Sequence, residues 1–288
     1  MIIVNETISF MDDHLASNAD DPFFAYVALG AVHIPHSPPD FYMDGTPVKG
    51  KEPNSHLDML HEVDLVIGSL VAAIEDRELA DDTIIIFTSD NGGLQGNFSF
   101  PSHNSSGVLK GYKGSIFEGG HRVPLIWRYD GVFPENETRE HLLGLNDIYA
   151  TLCEIAGVVV PYGSAYDSIS FAKYIESGDA TEGLREYLGT WVYKGENNQF
   201  QHAIRGQELK LIHQPGTNEI ELYNLTEDLS ETSDLSTSMM ELSPVKAMYR
   251  ELLALGPCPD DVPGTFRLSS NSLEVSCEWF QKNSDQKC

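Results

Sequence analysis

Apolar residues recur at intervals of three and four between His56 and Leu79. Leu57, Leu60, Val63, Ile67, Leu70, Val71 and Ile74 share one stripe, which predicts a long amphipathic helix. A shorter helix is expected over residues 5 to 18. Two segments show unbroken apolar runs instead: residues 22 to 29, Pro-Phe-Phe-Ala-Tyr-Val-Ala-Leu, and residues 83 to 87, Thr-Ile-Ile-Ile-Phe. Their length and β-branched or aromatic content predict strands buried on both faces. Strand, long helix and strand make a crossover unit, which implies a parallel or mixed α/β sheet covered by helices. A Pro-rich loop, Ile34 to Pro53, lies inside that unit. Farther on, Val123 to Trp127 predicts another strand, and Asn146 to Ala156 a helix capped by Asn146 or Asp147 and stopped by Gly157.

Beyond about residue 185 the pattern shortens. Tyr187 to Tyr193, His202 to Arg205, Leu209 to His213 and Ile220 to Tyr223 are brief β-like runs separated by turn residues, and Pro244 to Leu255 is amphipathic. This predicts a small antiparallel sheet with one helix. The expected division is a partial catalytic α/β domain at 1–185, an antiparallel subdomain at 186–257 and a cysteine-containing tail at 258–288. The tail is expected to lie over the surface, stapled by disulfides.

The 288 residues carry 44 acidic and 18 basic side chains, a formal charge of -26. A field of that sign repels nucleic acid and anionic membranes, so neither is an expected partner. An anionic substrate would need local cations, from side chains or a metal, acting within about 8 Å at physiological salt. No apolar run reaches the roughly 18 residues that a membrane-spanning helix needs, and the first residues lack the basic region of a signal peptide. Five glycosylation sequons, at Asn5, Asn97, Asn104, Asn136 and Asn224, nevertheless point to a secretory origin, lysosomal or extracellular. A start that is not the native one reconciles the two. Of the four cysteines, Cys153, Cys258, Cys277 and Cys288, three cluster at the end of the chain, which favours an oxidising compartment.

In a parallel α/β sheet ligands bind beyond the carboxyl ends of strands. Thr88-Ser-Asp-Asn-Gly-Gly93 follows one predicted strand. Asp90 and Asn91 there offer a carboxylate and an amide oxygen side by side, the hard donors that Ca²⁺ or Mg²⁺ takes. Gly92 and Gly93 would allow a tight turn that faces both oxygens to one point. The same tripeptide is also a common turn. Gly30-Ala-Val-His-Ile-Pro35 follows the other strand, and His33 within it is either catalytic or a structural histidine. Lys113 precedes a Glu-Gly-Gly turn leading into the third strand, where it either serves the site or is a solvated surface lysine. Glu118 and Arg122 are expected to pair and fix that loop.

Together these segments resemble the sulfatase family. FFAYVALGAVHIP, a long helix, TIIIFTSDNGG and GYKGSIFEGGHRVP occur in that family's order, and RGQELKLIHQPGTNEIELYNLTEDLSE is similar to its C-terminal subdomain. The likeness spans residues 5 to 255, and the Val32-to-Pro35 run with Phe41-Tyr42 resembles the arylsulfatase B branch, which acts on sulfated aminosugars. It implies an alkaline-phosphatase-like fold, Ca²⁺ ahead of Mg²⁺, a formylglycine hydrate as nucleophile, and a sulfated small molecule or glycan as substrate. By position, Asp90 and Asn91 would be Ca²⁺ ligands, Lys113 a sulfate contact, and His33 a sulfate contact or the proton donor to the leaving alkoxide.

The family's Cys/Ser-x-Pro-x-Arg nucleophile motif and the acidic pair preceding it are not found in these residues. Asp12-Asp13 and Asp20-Asp21 are adjacent acids that follow no predicted strand, so they are not assigned to metal. The chain is expected to be the C-terminal portion of a sulfatase, inactive on its own. Two other readings compete: a related phosphoesterase, disfavoured because Asn91 stands where a histidine ligand would be needed, and a non-catalytic relative that binds sulfated glycans.

Overall fold

A computed structural model describes residues 2–18, 20–94, 104–179, 181–194 and 199–255, with the backbone of two short strands at 265–267 and 274–276. The sequon at Asn97 and the three cysteines of the tail lie outside the described residues. The chain divides into two compact units. Met1–Ile86 with Trp127–Phe133 forms the first, and Phe87–Ile126 with Pro134–Cys288 the second.

In the first unit, helix α1 (Ile2–Asn18) packs on helix α2 (Ser55–Glu75) around Val4, Tyr42, Val48 and Val66. Of the predicted stripe only Val63 is buried; Leu57, Ile67, Leu70, Val71 and Ile74 are half-buried and Leu60 is 49% exposed, because the face that packs runs through His56, Met59, Val63, Val66 and Ala73. Asn54 caps α2 by accepting the Leu57 N–H at 3.0 Å. Asp58, itself buried, accepts the N–H groups of Gly50 and Glu52 at 2.8 Å and closes the Pro-rich loop onto the helix. Arg77 reaches both carboxylate oxygens of Asp12, at 2.7 and 2.9 Å, and ties α1 to the segment after α2.

Residues 22 to 29 depart from expectation: they form no strand. A strand is defined by ladder hydrogen bonds, and among the described residues no neighbour offers them. Alternate side chains do pack, Phe23 on Phe10 and Leu29 beside the α1–α2 core, while Phe24 and Tyr26 are 72% and 83% exposed. The other two expected strands are present as β1 (Ile85–Thr88) and β2 (Leu125–Arg128), which pair in a two-stranded sheet. A short helix α3 (Glu118–His121) precedes β2.

Helix α4 (Asp147–Ile155) ends at Gly157, whose φ of 66° suits the helix stop. Its start differs from the expected cap, since Asn146 makes no capping bond. Asp147 instead turns inward, accepts the N–H groups of Gly144 and Ile169, and takes a bidentate ion pair from Arg185. Helix α5 (Ala172–Ser177) follows.

Four antiparallel strands, β3 (Leu188–Lys194), β4 (Gln199–Arg205), β5 (Leu209–Gln214) and β6 (Glu219–Asn224), then run as a meander in sequence order. Ile204 opposes Leu211, and Leu211 opposes Leu222. These three side chains share one face and meet Val245, Met248 and Leu252 of helix α7 (Ser243–Ala254), beyond the short helix α6 (Ser236–Met239). The pleat sends Ala203, Ile212 and Tyr223 to the opposite face, where Ile116 and Phe117 cover them. Strands β7 (Thr265–Arg267) and β8 (Glu274–Ser276) pair antiparallel.

Candidate active site

Strand β1 delivers Asp90 and Asn91 into the loop that follows it. Asp90 is exposed and Asn91 half-buried. The Asn91 amide nitrogen donates to Asp90 Oδ1 at 2.7 Å, so the two side chains converge. The Ser89 hydroxyl donates to the backbone oxygen of Asn91 at 3.2 Å and steadies the turn.

The glycines that follow have a different purpose from the expected one. Neither Gly92 nor Gly93 has a positive φ. What they provide is the absence of a side chain. A Cβ on Gly92 would lie 1.9 Å from the oxygen of Gly119, and one on Gly93 would lie 2.2 Å from Cβ of Ser105. The opposing loop is equally tight: a Cβ on Gly119 or Gly120 would fall 2.4 and 2.0 Å from backbone oxygens of Gly111 and Ser115. Two loops thus meet backbone to backbone. The Gly92 N–H donates to the Gly120 carbonyl at 2.9 Å, and the Lys113 N–H donates to the Gly93 carbonyl at 2.8 Å.

That second bond places Lys113 on the segment lying directly along the Asp90–Gly93 loop. Its side chain is exposed. Lys110, three residues earlier, is committed elsewhere: its ammonium sits 3.7 Å over the Phe117 ring and donates to the Glu231 carbonyl at 3.0 Å. Of the two lysines in this loop, Lys113 is the one left to meet a ligand.

The expected Glu118–Arg122 pair is present at 3.5 Å, but it belongs to a larger cluster. Glu118 is fully buried beside Lys210, Arg205 and His121. Burial opposes its charge, yet the His121 hydrogen bond and the Lys210 and Arg205 charges prevail and hold the carboxyl well below the usual carboxylate range. Lys210, Lys110 and Glu231 were not expected here. A charged residue flanked by apolar ones in a strand reads as solvent-facing. The available signal was that Lys210 shares its face with Ile212.

His33 lies in the first unit, on a turn closed by its own N–H to the Gly30 carbonyl at 3.1 Å. Nδ1 is 2.7 Å from the Ile34 carbonyl, which makes it the protonated nitrogen and leaves Nε2 facing solvent. His36 Nε2, 3.3 Å from Nδ1 of buried His56, ties the same loop to the first turn of α2. Asp90, Asn91 and Lys113 therefore share one unit, and His33 belongs to the other.

Asp90 and Asn91 suit a hard cation as part of a shell. A half-turn of the Asn91 amide would bring its oxygen to the same point as the Asp90 carboxylate. Ca²⁺ takes six to eight oxygens, so two protein donors leave several to be supplied. Among the described residues no group of three His, Cys, Asp or Glu side chains could hold a metal alone.

Residues 1–158 match the sulfatase family model, and residues 112–256 match the C-terminal model of N-sulphoglucosamine sulphohydrolase. A sulfatase of Formosa agariphila is 34% identical over 247 residues, covering 76% of this chain and 43% of the relative. An N-acetylgalactosamine-6-O-sulfatase of Bacteroides thetaiotaomicron is 30% identical over 215 residues, covering 72% and 39%. The solved structure of Ps i-CgsB in complex with k-i-k-neocarrahexaose superposes with a TM-score of 0.70 at 29% identity, covering 88% of this chain and 53% of that one. The architecture is the α/β fold of alkaline-phosphatase-like hydrolases. The chain belongs to the sulfatase family. It spans less than half the length of these curated relatives.

Proposed function

We propose that the chain carries part of the active site of a sulfuric ester hydrolase acting on sulfated sugars. The observation that supports this most directly is the glycine-lined contact of the Asp90–Gly93 and Lys110–Gly120 loops. It sets a carboxylate, an amide oxygen and an ammonium on adjoining backbone segments. Asp90 and Asn91 would hold Ca²⁺, which when bound supplies fixed positive charge to sulfate oxygens. Lys113 donates to a sulfate oxygen, where negative charge builds in the transition state. His33, once protonated at Nε2, gives its proton to the leaving sugar alkoxide, a poor leaving group without one.

Sugar substrates are favoured by the relative named for N-acetylgalactosamine-6-O-sulfate cleavage and by the structure solved with a neocarrahexaose. The sequons favour a secretory, lysosomal or extracellular setting. The proposed division is a partial catalytic domain at 1–185, an antiparallel subdomain at 186–257 and a tail at 258–288. The 288 residues contain no Cys/Ser-x-Pro-x-Arg motif, so the isolated chain binds Ca²⁺ without turning over sulfate esters.

Calorimetric titration of the purified chain with CaCl₂, beside an aryl sulfate assay, tests both halves of this reading. Ca²⁺ binding that disappears in Asp90→Ala, with no hydrolysis, is the expected result. An absence of binding at millimolar Ca²⁺ would favour a non-catalytic relative. Hydrolysis abolished by Lys113→Ala would show that the nucleophile is present after all, and faster hydrolysis of aryl phosphate would favour a phosphoesterase.

A further inference from the structure

Glu118, Lys210 and Glu231 form a charge cluster sealed from solvent, at 0%, 1% and 0% exposure, that the chemistry proposed above does not use. Lys210 Nζ lies 3.1 Å from Glu118 Oε1 and 2.9 Å from Glu231 Oε1. The other oxygen of Glu231 accepts the backbone N–H of Glu118 at 2.7 Å. Arg122 and Arg205 stand 3.5 and 3.7 Å from Glu118 Oε2.

Stability alone does not account for this arrangement. Removing several charges from water is expensive, and well-packed apolar side chains of similar volume often stabilise as much or more. Ion pairs and directed hydrogen bonds do fix geometry. Glu231 itself adopts a left-handed backbone, φ 50°, which a residue with a side chain visits only at a cost. Asp228 maintains it by accepting the N–H groups of Thr232 and Ser233 at 2.8 Å. The turn thereby drives the Glu231 carboxylate inward onto the first turn of α3.

The backbone links continue from there. The Glu231 carboxylate accepts the Glu118 N–H, the Gly120 carbonyl accepts the Gly92 N–H, and the Gly93 carbonyl accepts the Lys113 N–H. Lys110 adds a bond to the Glu231 carbonyl from the other end of the same loop. We propose that Glu231 and Lys210, both from the C-terminal antiparallel layer, are positioning residues that clamp the 110–121 loop so that Lys113 is presented to sulfate beside Asp90 and Asn91. The inference rests on the reading of Lys113 as a sulfate contact. It assigns the antiparallel subdomain a part in substrate binding that it performs without touching substrate.

The test uses the whole 288-residue chain, with sodium sulfate in the presence of Ca²⁺ as the probe. Glu231→Ala removes both the charge and the bond to the Glu118 N–H, whereas Glu231→Gln keeps an acceptor and removes the charge. In Glu231→Ala, deuterium exchange over 110–121 should accelerate about tenfold, while exchange over α7 stays unchanged. The sulfate concentration that half-shifts the NMR signal of the Lys113 side chain should rise severalfold. Glu231→Gln should show a smaller change in the same direction, and Lys113→Ala should leave exchange over the loop untouched. Unchanged exchange and sulfate response in both variants would overturn the proposal. So would acceleration spread equally over β5 and α7, or failure of both variants to fold, since each indicates a merely structural cluster. If sulfate does not shift Lys113 in the unaltered chain, the sulfate-contact reading fails by itself, and local acceleration over 110–121 still decides whether the clamp exists.

Discussion

Gly92 donates its backbone N–H to the carbonyl of Gly120 across 2.9 Å, and neither residue has room for a side chain. The loop after β1 and the loop before β2 therefore meet as bare backbone, closer than any pair of residues with Cβ atoms allows. This contact registers Asp90 and Asn91 against Lys113.

Gly92→Ala should therefore be costly. Its Cβ would meet backbone atoms, which cannot rotate aside, and overpacking of this kind costs about 1–3 kcal/mol or more. Gly114→Ala is the matched control. Its φ is +82° but nothing lies within 4 Å of the added atom, so only the left-handed conformation is penalised, by about 1 kcal/mol. Urea unfolding of both variants should show the larger loss at Gly92, with Ca²⁺ binding lost there and retained in Gly114→Ala.

Asp90→Ala should separate binding from folding. The side chain is exposed and its described partners are the adjacent Ser89 and Asn91, so the expected loss of stability is within about 0.5 kcal/mol. Ca²⁺ binding by calorimetry should nonetheless vanish. A variant that unfolds, or one that binds Ca²⁺ unchanged, would remove Asp90 from the metal assignment.

How far this site was legible beforehand depends on how local each signal is. Helix α2 and the β3–β6 meander follow from periodicity and alternation, which depend only on near neighbours in sequence. Asp90 followed from the rule that chemistry sits beyond strand ends, and Lys113 from its place ahead of the Glu-Gly-Gly turn leading into β2, together with the family resemblance. Residues 22–29 misled because an apolar run records what a segment can bury, whereas a strand also needs a partner for its backbone. Helix α3 escaped notice because Glu-Gly-Gly-His has poor helical propensity, and what closes it is a contact from Glu231, more than a hundred residues away. Lys210 and Glu231 were missed for the same reason: the face Lys210 shares with Ile212 hints at burial, but its counter-charges arrive from distant turns.

Arg185 and Asp147 offer a test of buried charge away from the site. Nε and Nη2 of Arg185 reach the two Asp147 oxygens at 3.0 and 2.6 Å, and both residues are buried. Arg185→Met keeps much of the volume but strands the Asp147 carboxylate, a change expected to cost about 3–5 kcal/mol. The double variant Arg185→Met with Asp147→Asn should recover part of that loss. Thermal unfolding of both should show this order, and an unaltered Tm in the single variant would mean that the pair contributes nothing net.

His202 should impose a pH dependence of a recognisable shape. It is buried on β4, with Nε2 2.8 Å from Nδ1 of His213 on β5 and Phe200 packed alongside; Tyr249 lies against the His213 ring. Burial, with a smaller push from His213, lowers its pKa from the ordinary 6.5 to about 4. The folded chain therefore keeps His202 neutral where the unfolded chain has already taken a proton. Stability from this group is fully present above about pH 6.5 and drains away as the pH falls toward 4, by about 1.4 kcal/mol per unit and about 3 kcal/mol in all. Carboxylates contribute little to the slope between pH 6.5 and 5, because they titrate mainly below that window. Urea unfolding of the parent chain across those values should show the slope, and His202→Gln should flatten it. A slope that persists in the variant would assign the acid sensitivity to another histidine.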